Sequence, residues 1–173
     1  MKELGELRYF LGIEFSRSKD GIPMAQRKYA LELIAESGLA GSRPKETPME
    51  QNLKLTSVEF DKTLNVENSE DDKNLNDSPV DEVMEDRGRY QRLIGKLLYL
   101  TITRPDISYA VQSLSQFMQS PKNSHYEAAL NVVKYIKKQP GLGLLMSSGS
   151  AEQVASFCDS DWASCPMSRK SVT

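Results

Sequence analysis

The side chains that could support catalysis or metal binding are few and widely spaced. Cys158 and Cys165 lie seven positions apart, and the chain has no second cysteine pair. This spacing is compatible with a disulfide or a zinc site, but ordinary thiols in a reducing compartment are the favoured interpretation. The single histidine, His125, opens a predicted helix, where a capping or surface role is favoured over catalysis. No spacing of Ser, His and Asp indicates a hydrolytic triad, and the sequence has no glycine-rich phosphate-binding loop.

Charge is distributed unevenly along the 173 residues. The formal net charge is −2, yet the stretch from Glu59 to Asp86 carries eleven acidic side chains and only two lysines. The rest of the chain has twenty basic and thirteen acidic side chains, a balance of +7. A basic remainder suits a phosphate-rich partner, and an ordinary solvated surface is an equally weighted interpretation.

Two features bear on the location of the protein. The sequence has no apolar run of about 18 residues, which a membrane-spanning helix requires. The N-terminal residues MKELGELRYF lack the apolar stretch and the small-residue cleavage site of a signal peptide. We therefore expect an intracellular protein that is not secreted, either cytoplasmic or nuclear.

The N-terminal part predicts a β-hairpin. Leu11, Ile13 and Phe15 alternate with small or polar residues, which predicts the buried face of a strand. Asp20-Gly21 is a favoured hairpin turn because both residues tolerate positive φ. Pro23 on the returning strand predicts an edge position, since proline has no N–H to donate to a neighbouring strand.

Amphipathic helices account for most of the remaining apolar residues. One is expected at about 26–37, ended by Gly38. Three more follow, and Ser124 and Glu127 form a capping-box pattern at the start of the last. Their apolar stripes predict a helical core. The stripes comprise Tyr90, Leu93, Ile94, Leu97, Leu98 and Thr101, then Ile107, Ala110, Val111, Leu114, Phe117 and Met118, then Ala128, Ala129, Val132, Val133 and Ile136.

Two segments lie outside this helical pattern. Residues 50–86 are rich in Asn, Asp, Glu and Ser and poor in aromatic residues, which favours a flexible linker over a regulatory acidic tail. After the last helix, Leu142 to Met146 predicts a short strand. Gln153 to Cys158 predicts another, which leads into Asp159.

Four groups of residues occur in a recognisable order. They are the run from Leu4 to Glu14, then Gln26-Arg27-Lys28-Tyr29 with Thr47-Pro48-Met49, then Tyr90 to Leu97 with Tyr99-Leu100 and Thr103-Arg104-Pro105-Asp106-Ile107, and finally Cys158-Asp159-Ser160-Asp161-Trp162-Ala163. Together they resemble the copia-type LTR retrotransposon Pol polyproteins, from the reverse transcriptase thumb and connection region into the start of RNase H. The resemblance covers nearly the whole chain apart from the acidic segment.

The resemblance and the element pattern together predict an α+β fold. It would contain a β-hairpin and amphipathic helices like those of the reverse transcriptase thumb and connection, and would end in an incomplete RNase H-like strand. The expected parts are a primer-grip-like hairpin with a thumb helix at 1–49, an acidic flexible linker at 50–86, thumb- or connection-like helices at 87–140, and the start of RNase H at 141–173. We expect the hairpin and the terminal strand to lack sheet partners.

The resemblance also implies contacts with an RNA–DNA hybrid or template–primer duplex in the parent enzyme. The hairpin resembles the primer grip, and its residues nearest the nucleic acid would be Phe10, Leu11, Gly12, Ile13 and Glu14. Gly12 permits close backbone approach, and exposed backbone amides can bind phosphates without reading bases. Further phosphate contacts are expected from Arg27, Lys28, Arg89, Arg92 and Lys96, although each alone is more readily a solvated charge.

Catalysis by this family depends on carboxylates that hold two metal ions about 3.5–4 Å apart. The polymerase carboxylates of the family lie in a Tyr-X-Asp-Asp turn and an earlier strand, and neither occurs in this sequence. By the resemblance, Asp159 corresponds to the first metal-binding aspartate of RNase H, whose other carboxylates would lie beyond Thr173. One carboxylate binds Mg²⁺ weakly. We therefore expect the chain alone to be inactive and to hold no cofactor, with Mg²⁺ bound in the parent enzyme.

Three functions follow from these observations. The chain could be a truncated, inactive relic of a polymerase. It could be a segment of a complete polyprotein that carries RNA-directed DNA polymerase and RNase H activities. It could also be a repurposed nucleic-acid-binding or protein-interaction module, which only the balance of +7 outside the acidic segment supports.

Overall fold

A computed structural model describes residues 5–50, 53–67, 81–149 and 167. The described residues form a mixed α and β structure, which confirms the α+β class. The strands are β1 at Tyr9–Phe10, β2 at Ile13–Phe15, β3 at Gly21–Ala25 and β4 at Gly143–Ser147. The helices are α1 at Arg27–Glu36, α2 at Val58–Glu67, α3 at Arg87–Leu100, α4 at Ser108–Ser115 and α5 at Asn123–Lys138, and a 3-10 turn at Pro105–Ile107 precedes α4.

The strands form one antiparallel sheet in the order β1-β2-β3-β4. The chain turns between β1 and β2 at Leu11 and Gly12, whose φ angles are 47° and 75°. Positive φ at both central residues is the turn geometry that matches the twist of a tight hairpin. The predicted continuous strand through Leu11 is therefore wrong, because the side chain sits at the turn and is 70% exposed. We call Leu11 and Gly12 the hairpin tip.

Strand β3 lies inside the sheet, so the edge position predicted from Pro23 is wrong. Pro23 pairs with Leu145 of β4, and its carbonyl accepts a hydrogen bond from the Ser16 N–H on the opposite side. The nitrogen and carbonyl of one residue point to the same side of a strand. The missing N–H therefore faces the end of β2, where it removes no bond to β4. The five-residue pairing of β3 with β4 also gives the predicted hairpin a sheet partner, contrary to expectation. The strand predicted at 153–158 lies outside the described residues.

The core is helical, as the apolar stripes predicted. Helix α1 packs on α5 and α3, while α4 packs on α3 and α5. The buried cluster takes its members from these helices and from the turns on either side of α4: Ala30, Leu33, Ile34, Tyr90, Leu93, Ile94, Leu97, Leu100, Ile107, Ala110, Val111, Leu114, Phe117, Ala128, Ala129, Val132, Val133 and Ile136. Within the described ranges, no strand contributes a residue to it. Helix α1 ends at Glu36, and Gly38 follows its C-cap with a φ of 70°, as predicted for the residue that stops the helix.

The described parts of the acidic segment are ordered onto the helical core. Their composition predicted a flexible linker, but helix α2 occupies Val58–Glu67. On the C-terminal side, the Met84 N–H donates to the Pro121 carbonyl at 2.9 Å, and the Asn123 N–H donates to Glu82 at 3.0 Å. The segment therefore returns to the body at the start of α5.

The start of α5 differs from the predicted capping box. The helix begins at Asn123, two residues earlier than a Ser124 cap would allow, because Lys122 is the N-cap. His125 Nδ1 accepts a hydrogen bond from the Lys122 N–H at 3.1 Å. Ser124 instead donates from its N–H and hydroxyl to Asp81. The predicted pairing of Ser124 with Glu127 is wrong because the acidic segment supplies the partner. Across the ranges that the structure describes, no helix is long and apolar enough to cross a membrane.

Candidate nucleic-acid interface

Three cations lie along one face of α3. Arg89, Arg92 and Lys96 are spaced by three and four residues, which places them on the same side of a helix. They line a surface cavity of about 140 Å³ between α1, α3 and α5, together with Glu36 of α1 and Tyr126 of α5. We call these three cations the basic stripe. Of the phosphate contacts predicted from the sequence, the structure brings Arg89, Arg92 and Lys96 together.

Each cation of the basic stripe has a partner at the surface. Arg92 Nη2 lies 3.5 Å from Asp86 Oδ2, and these side chains are 69% and 63% exposed. Lys96 pairs with Glu36, and the Arg89 guanidinium lies 4.8 Å from the centre of the Tyr126 ring. Exposed ion pairs contribute about 1 kcal/mol or less to stability. These pairs therefore contribute little to the stability of the fold.

The hairpin tip contacts the C-terminal end of the same helix. The Tyr99 hydroxyl donates a hydrogen bond to the Leu11 carbonyl. A Cβ at Gly12 would lie 3.1 Å from the Tyr99 hydroxyl oxygen, so the absence of a side chain permits this approach. Close backbone approach at Gly12 was predicted, but here it is made to a tyrosine of the same chain. With about 1.5 Å of rise per residue, Tyr99 lies about 15 Å along α3 from Arg89.

The hairpin residues predicted to contact nucleic acid fall into two groups. Phe10 and Leu11 are exposed at 56% and 70%. Gly12, Ile13 and Glu14 are half-buried. Glu14 turns its carboxylate toward the start of α1, where Oε1 accepts a hydrogen bond from the Lys28 N–H at 3.0 Å. A carboxylate at a helix N-terminus is stabilising, so this contact gives Glu14 a structural role.

Arg27 and Lys28 lie apart from the basic stripe. Both are exposed in the first turn of α1, and neither lines the cavity. Lys28 Nζ lies 4.0 Å from Glu32, and the side chain of Arg27 lies over Gly141, with Cδ 3.3 Å from the position of an added Cβ. The structure thus divides the predicted basic contacts into the stripe on α3 and a pair at the start of α1.

A second polar cluster ties the acidic segment to α5. Lys122, whose side chain is 5% exposed, places Nζ 2.7 Å from Asp61, 3.4 Å from Asp81 and 3.1 Å from the Thr56 hydroxyl. Burial opposes ionisation of both aspartates. Hydrogen bonds outweigh it and lower the pKa of each carboxyl: Lys122 and Thr56 bond to Asp61, and Ser124 and Lys122 bond to Asp81.

His125 completes this cluster as a neutral side chain. Nδ1 accepts from the Lys122 N–H, and Nε2 lies 3.2 Å from the Thr56 carbonyl, to which it donates. The ring stacks on Phe117 with centroids 3.9 Å apart. Burial, together with the charge of Lys122, lowers the pKa of His125 to about 4. Of the capping and surface roles predicted for His125, the structure shows the capping role, and the side chain is buried.

The Thr103–Ile107 motif has a structural role at the turn before α4. Arg104 is buried and binds Asp106 through two hydrogen bonds, Nε to Oδ1 at 2.9 Å and Nη2 to Oδ2 at 2.8 Å. Nη1 donates to the Gln139 carbonyl at 3.1 Å, which joins this turn to the end of α5. The Thr103 hydroxyl donates to the buried Gln26 side chain at 2.8 Å, which joins the same turn to α1.

The predicted metal-binding residue, Asp159, lies outside the described residues, as do Cys158, Asp161 and Cys165. In the ranges that are described, no group of three or more His, Cys, Asp or Glu side chains is placed to hold a metal ion.

Sequence comparison connects this arrangement to known proteins. The chain is 34% identical over 163 residues to the retrovirus-related Pol polyprotein from transposon RE2 of Arabidopsis thaliana, a match that covers 94% of this chain. This chain belongs to the retrovirus-related Pol polyproteins of transposons. The resemblance found in its motifs is thereby confirmed. No protein-family model matches the chain, and no solved structure matches it.

The Pol segment formed by this chain spans about a tenth of the length of that relative, since the match covers 10% of the RE2 polyprotein. It is also similar to two uncharacterised mitochondrial proteins of Arabidopsis thaliana. One is 34% identical over 173 residues, with 100% of this chain and 63% of the relative covered. The other is 49% identical over 76 residues, with 44% of this chain and 68% of the relative covered.

Two of the contacts described above were not predicted from the sequence of the Pol segment, one made by Tyr99 and one by Lys122. Tyr99 stands in a recognised motif, but nothing in the motif indicates that its hydroxyl meets the hairpin tip. Lys122 follows Pro121 in an ordinary interhelical turn, and its burial depends on carboxylates from a segment whose composition predicted a linker. In both cases the partner lies more than 40 positions away in sequence.

Proposed function

We propose that this Pol segment binds the template–primer duplex of a retrotransposon reverse transcriptase. The contact surface is the basic stripe together with the hairpin tip. The observation that carries the proposal is the contact of Tyr99 with the tip, which puts both predicted elements on one continuous surface along α3. Separate elements of the sequence, far apart in the chain, converge there.

The spacing of the basic stripe suits a nucleic-acid backbone. Arg89 and Lys96 are about 10 Å apart along the axis of α3. The phosphates of one strand rise about 3.4 Å each along a duplex, so this distance spans about three phosphates. The stripe presents three cations to them. Contacts of this kind position a duplex without reading its sequence, which is what a polymerase requires of its template–primer.

The hairpin tip adds backbone groups and apolar surface at one end of the stripe. Its N–H groups and the exposed side chains of Phe10 and Leu11 lie at the end of α3 that Tyr99 marks. Under the proposal these groups meet the primer strand, as in the primer grip that the sequence resembles. Ile13 and Glu14 would then hold the tip in place from strand β2, Glu14 through the hydrogen bond that it accepts from the first turn of α1.

The proposal extends to the rest of the chain. Residues 5–138 would be the copia-type reverse transcriptase thumb and connection region. Because β4 pairs with β3, we place the proposed start of RNase H after Ser147 and not at residue 141. Asp159 would be one RNase H carboxylate. The polymerase carboxylates and their Mg²⁺ would come from elsewhere in the polyprotein, so the chain alone would bind duplex without extending a primer.

The test is duplex binding by a variant in which Arg89, Arg92 and Lys96 are all replaced by Gln. The matched control replaces three exposed cations that do not line the cavity, Lys19, Arg43 and Lys54, by Gln, so both variants lose the same charge. Binding of a fluorescent RNA–DNA hybrid is followed by anisotropy as a function of salt. The stripe variant should bind about 10- to 100-fold more weakly, and the slope of log K against log salt should fall by about 2 to 3. Equal losses in both variants, or no binding by the native chain at low salt, would overturn the proposal.

A repurposed nucleic-acid-binding module would give the same binding result, so a second observation must separate the two. The reading frame on both sides of this segment does so. Continuation in frame to an Asp-Asp palm motif and to the remaining RNase H carboxylates supports the polymerase assignment. Stop codons or unrelated sequence on both sides would leave binding as the function.

A further inference from the structure

The hairpin tip is weakly held by its own strands. Strands β1 and β2 pair Tyr9 with Glu14 and Phe10 with Ile13, and one further backbone hydrogen bond, from the Phe15 N–H to the Arg8 carbonyl at 2.9 Å, extends this pairing. Leu11 has a φ of 47°, a left-handed conformation that is uncommon for a residue with a branched side chain. Strand β1 is two residues long and lies at the edge of the sheet, so the tip would sample several positions if nothing outside the sheet contacted it.

Tyr99 provides that contact. Its hydroxyl donates to the Leu11 carbonyl, and the same oxygen is the nearest atom to a Cβ added at Gly12. Tyr99 is itself held by Tyr29 of α1, whose ring packs edge-on against it with centroids 5.0 Å apart at 76°. The Tyr29 hydroxyl in turn reaches the Lys96 carbonyl at 3.5 Å. The contacts therefore run from α1 through α3 to the tip.

We propose that Tyr99 is a positioning residue that holds the hairpin tip at a fixed distance from the basic stripe. Its hydroxyl selects one orientation of a hairpin that its strands leave loosely determined. A duplex then meets the tip and the stripe simultaneously, without first ordering the hairpin. The consequence for duplex binding rests on the proposed function, whereas the fixation of the tip does not.

The first experiment measures the tip without any nucleic acid. Tyr99→Phe removes the hydroxyl and keeps the ring, so the packing with Tyr29 is retained. Amide hydrogen exchange at Ile13, which pairs across the tip with Phe10, should accelerate about 2- to 10-fold, as expected for the loss of one hydrogen bond. The matched control is Tyr29→Phe, which removes a neighbouring hydroxyl that does not touch the tip and should leave this exchange unchanged. Identical exchange in Tyr99→Phe and the native chain would overturn the proposal.

A double-mutant cycle tests the direct contact. Gly12→Ala introduces a Cβ 3.1 Å from the Tyr99 hydroxyl oxygen, while the next atom, Cε1, is 3.7 Å away at an ordinary contact distance. The strain from the positive φ is the same in both backgrounds and cancels. Gly12→Ala should therefore accelerate exchange at Ile13 less in Tyr99→Phe than in the native background. Equal effects in the two backgrounds would mean that the hydroxyl does not meet the tip.

The third measurement connects the tip to duplex binding. Tyr99→Phe should weaken binding of the RNA–DNA hybrid about 2- to 10-fold and leave the salt slope unchanged, because no charge is lost. If the stripe variant loses affinity but Tyr99→Phe does not, the proposed function stands and the role of Tyr99 in binding fails. If neither variant changes binding while the exchange results hold, the proposed function fails and the positioning contact stands.

Discussion

The helical body and the four-stranded sheet differ in how far their apolar side chains are buried. The helices bury their stripes against one another, and Ile94, Leu97 and Val133 are fully buried. The sheet leaves large apolar side chains exposed on its strands, with Leu145 at 54% and Met146 at 58%. Burial is the main favourable contribution to folding, at about 25 cal/mol for each Å² of apolar surface. The helical body therefore provides the stability of the molecule, and the sheet depends on its attachment to that body.

This difference explains how the two regions are joined. Two side-chain hydrogen bonds between described residues link them. Glu14 accepts one from the first turn of α1, and Tyr99 donates the other to the hairpin tip. Each bond connects an exposed strand or turn to a helix end or helix surface.

The largest effect is predicted for a substitution that compares the contributions of the body and the sheet to stability. Leu97→Ala removes a fully buried side chain and should lower the free energy of unfolding by about 2–5 kcal/mol. The matched change on the sheet, Leu145→Ala, removes a side chain that is already half exposed and should cost about 0.5 kcal/mol or less. Urea unfolding of both variants measures the difference. Similar losses would contradict the division into a stabilising body and a dependent sheet.

The second prediction concerns the pH dependence of the free energy of unfolding. His125 has a folded-state pKa of about 4, below its ordinary value of 6.5, so the unfolded chain binds the proton more readily. Stability is full above about pH 6.5 and falls as the pH is lowered toward 4, by up to about 3 kcal/mol. Below that range the depressed pKa values of Asp61 and Asp81 add a further loss.

Urea unfolding between pH 7 and pH 4 measures this dependence. Because His125 is the only histidine, His125→Gln should remove most of the slope within that window. A slope that survives the substitution would assign the pH dependence to other groups.

The third prediction concerns the attachment of the acidic segment to the body. Lys122→Met removes a buried ammonium and leaves Asp61 and Asp81 unpaired. Because both aspartates are about one-third exposed, water compensates in part, and we expect a loss of about 1–3 kcal/mol. Limited proteolysis should then cut near α2 more rapidly than in the native chain. The control is Lys138→Met, whose ion pair with Glu46 lies at the surface and should contribute little.

The smallest predicted effect concerns the bond between the two regions. Glu14→Gln removes the charge that caps α1 and should cost about 0.3–1 kcal/mol, because the N-terminus of the helix loses a favourable anion. Glu32→Gln, in a surface pair with Lys28 at 4.0 Å, is the matched control and should cost less. Thermal unfolding resolves the two variants. An equal or smaller loss for Glu14→Gln would show that the carboxylate does not act as the cap.

The accuracy of the sequence-based predictions differed between the same two regions. Helices α1, α3, α4 and α5 were predicted well because the burial of a residue such as Ile94 depends on a periodicity of 3 to 4 residues that the sequence displays directly. Helix α2 was missed because its segment shows no such periodicity. The sheet was predicted less well. The turn at the hairpin tip requires positive φ at Leu11, and leucine is not a residue type that predicts positive φ. The interior position of β3 depends on its pairing with β4, which lies over 100 residues away in sequence.

The candidate site shows the same pattern. The spacing of Arg89, Arg92 and Lys96 already placed three cations on one face of a helix. Arg27 and Lys28 are also cations predicted to contact phosphates, but they lie in the first turn of α1, away from the cavity. The position of α1 relative to α3 decides which cations share a surface. Nothing local in the sequence encodes that position.

By itself, the sequence determined helices α1, α3, α4 and α5, their buried stripes, the basic character outside the acidic segment and membership of the Pol family. Each depends on residue type and on spacing within a few turns of chain, or on the order of motifs. Tertiary structure alone decided that β4 completes the sheet, that Lys122 holds both described ends of the acidic segment, and that Tyr99 meets the hairpin tip. Those contacts join residues separated by 40 to more than 100 positions, and their energies depend on burial and distance, which arise only when the chain is folded.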